Sequence, residues 1–302
     1  MKLVRAVDDL RAELQPARRE GLRVGLVPTM GALHEGHLSL IRHARSSCDV
    51  VVVSLFVNPA QFNERSDLER YPRNEQADAD LARTAGADLL FAPSVEEVYP
   101  TGFATSVEVL GISERLEGAS RGAEHFRGVA TVVTKLLLMV LPDVAFFGQK
   151  DAQQVLVIRR LVTDLNIPVV IEALPTVREP DGLALSSRNA LLSPEDRRRA
   201  LAIGAGLRAA ERLVANGERE AETLIAAVAG SLSSEGVEAE YVALVDPETL
   251  EPLTILNGEA LLAIAAHVGD VRLIDNTILN PVRHSPSGTT ASDGKVTAKC
   301  SA

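Results

Sequence analysis

Two histidines three positions apart, in His34-Glu35-Gly36-His37, are the most chemically pointed pair in this sequence. They follow an apolar run, Val24–Val27, and a Pro-Thr-Met-Gly turn, so they fall where a strand ends and a helix begins. That geometry binds phosphate, because the free N–H groups and the dipole of a helix N-terminus face the ligand. Imidazoles placed there can donate hydrogen bonds to phosphate oxygens without adding a permanent like charge to one another. Gly36 between them would let a ligand approach the backbone closely. A metal site or a pair of surface histidines are the alternatives. Zinc would need a third ligand, and the sequence has neither a paired C-x-x-C nor an H-E-x-x-H spacing.

Neither G-x-x-x-x-G-K-[ST] nor G-x-G-x-x-G occurs, so a nucleotide binder built on this chain must gather its cations from separate places. Two segments supply them. Phe147-Gly148-Gln149-Lys150-Asp151 sits at the end of a predicted strand and opens a helix, the ligand-facing end of an open α/β sheet. Further on, Arg178 precedes Leu185-Ser186-Ser187-Arg188-Asn189, where two hydroxyls beside a guanidinium suit a polyphosphate. Taken alone, Ser-Ser-Arg reads as a solvated turn. Combined with the other two segments, at strand ends and a domain boundary, the phosphate reading is the stronger one.

The elements that must position these residues follow from apolar patterning. Val24–Val27, Val50–Val57, Leu89–Ala92, Val144–Phe147 and Val169–Leu174 are short continuous apolar runs, as strands buried on both faces are. Helix-period segments alternate with them: Leu38–Ala44, about Asp67 to Ala85 ended by Gly86, Val129–Leu141 stopped by Pro142, and Ala152–Leu165. The fold class this implies is α/β, a Rossmann-like doubly wound parallel sheet. After Leu174 the texture changes. A Pro-, Arg- and Ser-rich loop leads to Ser193-Pro194-Glu195-Asp196, a helix start that runs toward Asn216-Gly217. A second helix over about Glu218–Ser233 and strands at Tyr241–Val245, Leu261–Ala266 and Arg272–Ile278 complete a smaller α/β unit. The expected division is 1–176, 177–280 and a disordered tail at 281–302 without apolar periodicity.

Composition narrows the function further. With 31 basic against 41 acidic residues the formal charge is −10, which repels nucleic-acid backbones at long range. Aromatics make up only 3 %, so base stacking on an aromatic platform is not expected either. A small anion remains suited to the chain if its cations cluster in one cleft. No run approaches 18 apolar residues, and the first twenty positions mix charges without an apolar stretch, so neither a membrane span nor a secretory signal is expected. Two cysteines, Cys48 and Cys300, fit a reducing, cytoplasmic setting.

The segments VPTMGALHEGH, FVNPAQF, YPR, HFRGV, FFGQKDAQQ and DGLALSSRN, in this order and spacing, resemble the pantoate–β-alanine ligase family. That family belongs to the nucleotidyltransferases marked by H-x-G-H, and the resemblance covers about residues 2–279. It implies a two-step reaction in which pantoate attacks the α-phosphate of ATP and β-alanine then attacks pantoyl adenylate, giving pantothenate, AMP and pyrophosphate. Mg²⁺ on the phosphates and a homodimer are implied with it. By resemblance, Met30, Gly31, Ala32, Leu33, His34, Glu35, Gly36 and His37 line the ATP site, with His37 in the family's acid position. Gly148, Gln149, Lys150, Asp151, Val177, Leu185, Ser186, Ser187 and Arg188 complete those contacts. His34, His37, Lys150, Ser186, Ser187 and Arg188 are the expected catalytic set, and Gln61 and Gln154 match the family's contacts to pantoate, Gln61 to β-alanine also. A neutral amide suits a dihydroxy acid, since it both donates and accepts.

Three positions depart from the family pattern. Gln149 stands before the lysine where Glu is usual, Ala152 follows Asp151 where an aromatic is usual, and Arg121-Gly122-Ala123-Glu124-His125 is one residue longer than R-P-G-H. Because Arg178–Asn189 joins the two units and carries one cationic cluster, the smaller unit is expected to close over the ATP site as a lid. The rival readings are a nucleotidyltransferase joining AMP to a phosphorylated small molecule, and a nucleotide sensor without turnover. Retention of His34, His37, Lys150 and Arg188 together speaks against the sensor.

Overall fold

A computed structural model describes residues 1–62 and 65–281, so the expected tail, apart from Pro281, lies outside the described residues. β1 (Lys2–Val4) and α1 (Val7–Arg19) precede β2 (Val24–Thr29), α2 (Glu35–Ser47) and β3 (Val50–Leu55). Then come α3 (Arg65–Arg70), α4 (Glu75–Ala85), β4 (Leu89–Phe91) and the single turn α5 (Val95–Val98). α6 (Glu117–Arg121), α7 (Ala123–Val140), β5 (Val144–Gly148), α8 (Ala152–Asp164) and β6 (Val170–Leu174) complete the larger unit. Its sheet runs β1-β4-β3-β2-β5-β6 with every pair parallel, the expected doubly wound architecture.

The continuous apolar runs have a simple cause. Alternate strand residues feed two separate apolar layers, because successive side chains point to opposite faces. Val24, Leu26, Val52, Phe91, Ala145 and Phe147 pack with α1, α7 and α8. Val27, Val51, Val53, Leu90, Val144 and Phe146 pack with α2 and α4 on the other side. The strand order reverses at β2, which has β3 on one side and β5 on the other. In open α/β sheets the crevice at such a reversal, outside the strand C-termini, is where ligands bind.

The smaller unit contains α9 (Pro194–Ala215), α10 (Ala221–Ser234) and an antiparallel sheet of β7 (Glu238–Val245), β8 (Ala260–Val268) and β9 (Val271–Leu279). Here too the two faces are separate. Leu244, Leu262, Ile264 and Leu273 pack against α9 and α10. Val245, Leu261, Ala263 and Ile278 face Ala152 and Leu156 of the larger unit. A polar knot reinforces this contact: the buried Glu117 carboxylate accepts from Arg272 Nη1 and Nη2 at 2.8 and 2.7 Å and from the Tyr241 hydroxyl at 2.8 Å.

Some expected elements differ. The single helix expected from Asp67 to Ala85 is two helices, because Pro72 cannot continue the first and Asn74 caps the second by accepting from the Ala77 N–H at 3.2 Å. The strand expected to reach Val57 ends at Leu55, and α2 begins at Glu35 rather than Leu38. The amino-terminal β1 and α1 have no counterpart among the expected elements.

Candidate functional site

The loop after β2 is shaped by backbone strain and one distant carboxylate. Gly31 and Ala32 both adopt left-handed backbone, with φ of 87° and 50°. For Ala32 that conformation costs about 1–2 kcal/mol. Asp78, buried on α4, offsets it: its carboxylate accepts from Ala32 N at 3.0 Å and Leu33 N at 2.7 Å. No local sequence signature ties Asp78 to this loop.

His34 then caps α2. Its Nδ1 accepts from the Gly36 N–H at 3.1 Å, while its own N–H points at His37 Nδ1 at 3.4 Å. A peptide nitrogen can only donate, so both Nδ1 atoms are acceptors and each neutral ring carries its proton on Nε2. The rings lie 4.2 Å apart between centroids. Burial first, and then the neighbouring His34, depress the His37 pKa to about 3. His34 is lowered by burial and by Lys150. Both are therefore uncharged donors near neutral pH. A Cβ at Gly36 would lie 2.9 Å from Cε1 of His34, so the capping ring also occupies that space.

Lys150 follows β5, the strand beside β2, and its field reaches both histidines. Its side chain is 17 % exposed, and its ammonium lies 3.9 Å from the Asp151 carboxylate. Asp151 in turn acts electrostatically on His34, His37, Tyr71, Arg121 and His125, which places it amid groups from several parts of the chain.

The connector brings the third cluster over the same place. Leu185 N donates to Val177 O at 3.0 Å, and Arg178 bridges Ala184, making a tight antiparallel turn. Leu185 Cβ lies 3.9 Å from where a Gly36 Cβ would be, so this turn sits on the start of α2. Ser186 accepts from the Arg188 N–H at 3.3 Å and lines a small cavity together with Lys150, Asn189 and Asp275. Ser187 and Arg188 are exposed, and the Arg188 charge reaches Tyr71 and Arg121. Arg178 is not available to a ligand as the sequence suggested. Its guanidinium binds both oxygens of the buried Asp275, at 2.5 and 3.0 Å.

Gln61 closes a 3-10 turn, Pro59–Gln61, after β3. Its Oε1 accepts from Asn58 Nδ2 at 3.1 Å and its Nε2 lies 3.0 Å from Met30 Sδ. This turn packs directly on α7, because a Cβ at Gly128 would stand 2.2 Å from Ala60 O. That contact explains why FVNPAQF and HFRGV occur together. His125 bonds the Gln61 carbonyl through Nδ1 at 2.9 Å, and burial, then Arg121, lower its pKa to about 4. Arg121 pairs with Glu117 at 3.2 Å. Gln154 is half-buried on α8 and does not hydrogen bond Gln61, whereas its neighbour Gln153 is the buried one, donating to Ile112 O and Arg115 O at 2.7 Å. Of the expected residues, Lys150 and Ser186 line one small cavity, Leu185 approaches Gly36 at the start of α2, and Gln61 lies beside Met30. Glu35 points away, paired with Arg42.

The arrangement supplies neutral imidazole donors, the Lys150 ammonium and the exposed Arg188 guanidinium, while of the nearby carboxylates Asp275 is engaged by Arg178, a set suited to an anion. Among the described residues no three His, Cys, Asp or Glu side chains cluster as metal ligands. Mg²⁺ bound with phosphates commonly uses only one or two protein carboxylates, and Asp151, half-exposed, fits that. Among the described residues no helix is long and apolar enough to cross a membrane.

Known proteins resemble this chain over residues 2–278. The sequence model of a family described as pantoate-beta-alanine ligase matches residues 2–278. A pantothenate synthetase of Moorella thermoacetica is 52 % identical over 280 residues, spanning 92 % of this chain and 99 % of its own. One from Myxococcus xanthus is 55 % identical over 279 residues, with 91 % and 94 % covered. The crystal structure of pantothenate synthetase from Thermus thermophilus superposes with a TM-score of 0.87 at 47 % identity, covering 92 % of this chain and 99 % of that one. A pantoate-beta-alanine ligase from Francisella tularensis, solved in complex with beta-gamma ATP and beta-alanine, gives 0.75 at 38 % identity, with 92 % and 97 % covered.

Proposed function

This chain belongs to the pantoate–β-alanine ligase family, and from that premise we propose how its residues make pantothenate from pantoate, β-alanine and ATP. The enzyme is an ATP-dependent acid–amine ligase. A pantoate carboxylate oxygen bonds to the α-phosphorus of ATP as the bond to pyrophosphate breaks. The β-alanine amine then adds to the acyl carbon of pantoyl adenylate, loses a proton, and AMP leaves with the C–O bond electrons.

One observation carries the assignment of roles: the two histidines follow β2, Lys150 follows β5, and these strands are neighbours where the sheet order reverses. We assign the His34 and His37 Nε2–H groups to phosphate oxygens as neutral donors, and Lys150 to the charge that develops as pyrophosphate departs. Such transfer needs positioning and charge stabilisation more than a nucleophile. Ser186, Ser187 and Arg188 cover the polyphosphate from the connector. Met30–Leu33, Gly148, Gln149, Val177 and Leu185 hold the nucleotide through shape and backbone. Gln61 presents Nε2 to the acid substrate, and Gln154 completes that subsite from α8. Mg²⁺ would enter with ATP and be held through Asp151, supplying further charge neutralisation on the phosphates.

We also propose a division at 176/177, with the smaller unit and its connector closing on bound nucleotide. The small sheet lies against the larger unit through Ala152 and Ile278, the contact that closure would tighten and opening would release. Cleavage of 178–189 by a protease should slow with ATP plus pantoate; equal cleavage counts against closure. Homodimerisation and a cytoplasmic setting stay as expectations, resting on the family resemblance and the sparse cysteines, and light scattering checks the first.

An AMP-release assay with ATP, Mg²⁺, pantoate and β-alanine, omitting each in turn, tests the reading. AMP should form steadily only with all four. ADP as product, or steady turnover without pantoate, would refute it.

A further inference from the structure

Two adjacent residues on β9, outside every motif in the sequence, hold both arms of the cationic site. Successive strand residues face opposite sides, so Asp275 looks toward the connector and Asn276 toward the larger unit. Asp275 grips Arg178 with both oxygens, at 2.5 and 3.0 Å, and Arg178 pairs with Ala184 immediately before Leu185–Arg188. Asn276 donates both amide hydrogens across the unit boundary, to Gln149 O at 3.0 Å and Lys150 O at 2.9 Å. Those carbonyls can only accept, which fixes the amide orientation.

The geometry around Asn276 favours a positioning role over a merely cohesive one. Asn276 bridges two consecutive carbonyls of the 3-10 turn Gln149–Asp151 from more than a hundred positions away. Asn276 is buried, and its Oδ1 is left without a partner. An apolar residue would avoid that desolvation penalty, and an amide is required only if the two carbonyls must be held. Asp275 is likewise buried and lines the same small cavity as Lys150 and Ser186.

We propose that Asp275 and Asn276 are positioning residues that set the register of Lys150 against Ser186–Arg188, so that the adenylation rate depends on β9 of the smaller unit. This rests on the reading that Lys150 acts at the phosphates. Displacing a catalytic group by about 1 Å can cost about 100-fold in rate. Asn276→Ala should therefore lower pantoate-dependent adenylation about 10- to 100-fold in kcat, leaving KM for pantoate unchanged.

The deciding experiment is a double-mutant cycle. Asn276→Ala and Lys150→Ala are measured singly and together, in adenylation and in the reaction of supplied pantoyl adenylate with β-alanine. If Asn276 acts through Lys150, the second substitution adds little to the first, and the aminolysis step stays near the wild-type rate. Multiplicative losses, or equal losses in both half-reactions, would overturn the proposal and make Asn276 only a structural tie. Asn276→Ser, which keeps one donor, should fall between wild type and Asn276→Ala and serves where the alanine variant does not fold; a wild-type rate for it overturns the proposal equally. A wild-type protein without pantoate-dependent adenylation would overturn this inference together with the assignment of Lys150.

Discussion

Asn58 donates from Nδ2 to Oε1 of Gln61 across 3.1 Å, and this bond determines which end of Gln61 is left for a substrate. The orientation of Asn58 is itself fixed by the backbone. Its Oδ1 accepts from Ala60 N at 3.2 Å and its Nδ2 donates to Gly128 O at 3.1 Å, and neither peptide group can reverse its role. The Tyr99 hydroxyl adds a second donor to Oδ1 at 2.8 Å, and burial raises its pKa to about 12, so it keeps its proton. Gln61 Nε2 donates one hydrogen to Met30 Sδ and keeps the second, suited to a carboxylate or hydroxyl oxygen.

Gln61→Glu replaces that donor by a negative charge facing an acid. KM for pantoate should rise about 100-fold or more, as expected when a hydrogen-bonded polar partner is lost and a like charge installed. Asn58→Asp keeps the acceptor for Ala60 and Tyr99 but loses the donor to Gln61. It should raise the same KM by about tenfold, the scale of one hydrogen bond. Steady-state kinetics with varied pantoate check both.

Asp78→Ala orphans two N–H groups, part-buried at Ala32 and buried at Leu33. Each costs about 1–3 kcal/mol, so the melting temperature should fall by several degrees. Because the same loop leads to His34, KM for ATP should rise as well. Asp78→Asn, which retains one acceptor, should lie between. Calorimetry and ATP-dependent kinetics measure the two effects separately; an unchanged ATP response would detach Asp78 from the site.

His37 and His125 are neutral in the folded protein, with pKa values of about 3 and about 4. A free imidazole titrates near 6.5. As pH falls from about 6.5 toward 4, the unfolded chain takes up protons that the folded chain refuses, so stability falls across that window and is full above it. Urea unfolding at pH 7.5, 5.5 and 4.5 should show this decline. His125→Gln should flatten its slope relative to wild type; an unaltered slope would mean that His125 titrates normally in the fold.

Lys150→Ala should reduce turnover about 10²- to 10³-fold, the usual scale for removing one stabiliser of transition-state charge. Lys150 lies in a turn and pairs only loosely with Asp151, at 3.9 Å, so the fold should survive. Matching circular dichroism with lost AMP release is the expected result. Wild-type rates would remove Lys150 from the reaction.

The parallel sheet was legible because its strands, covered on both faces, are continuous apolar runs such as Val50–Val53. The loops that carry His34, Lys150 and Ser186 were legible because phosphate chemistry leaves short local patterns. The break between α3 and α4 was also written locally, in Pro72 and Asn74, and was overlooked beneath a helical period. What could not be read was the set of buried polar residues that hold those loops. Asp78 bonds a loop about 45 positions earlier, Asp275 an arginine 97 positions earlier, and Asn276 carbonyls 126 and 127 positions earlier. None of these pairings leaves a spacing, since only the fold brings the partners together. For the same reason Arg178 read as a phosphate ligand when its charge is spent on Asp275.

Isotope exchange of pyrophosphate into ATP reports the attack of the pantoate carboxylate on ATP and nothing later. With Mg²⁺ and pantoate present and β-alanine absent, labelled pyrophosphate should enter ATP, and leaving out pantoate should abolish it. Exchange that needs β-alanine, or that proceeds equally well without pantoate, would contradict the account.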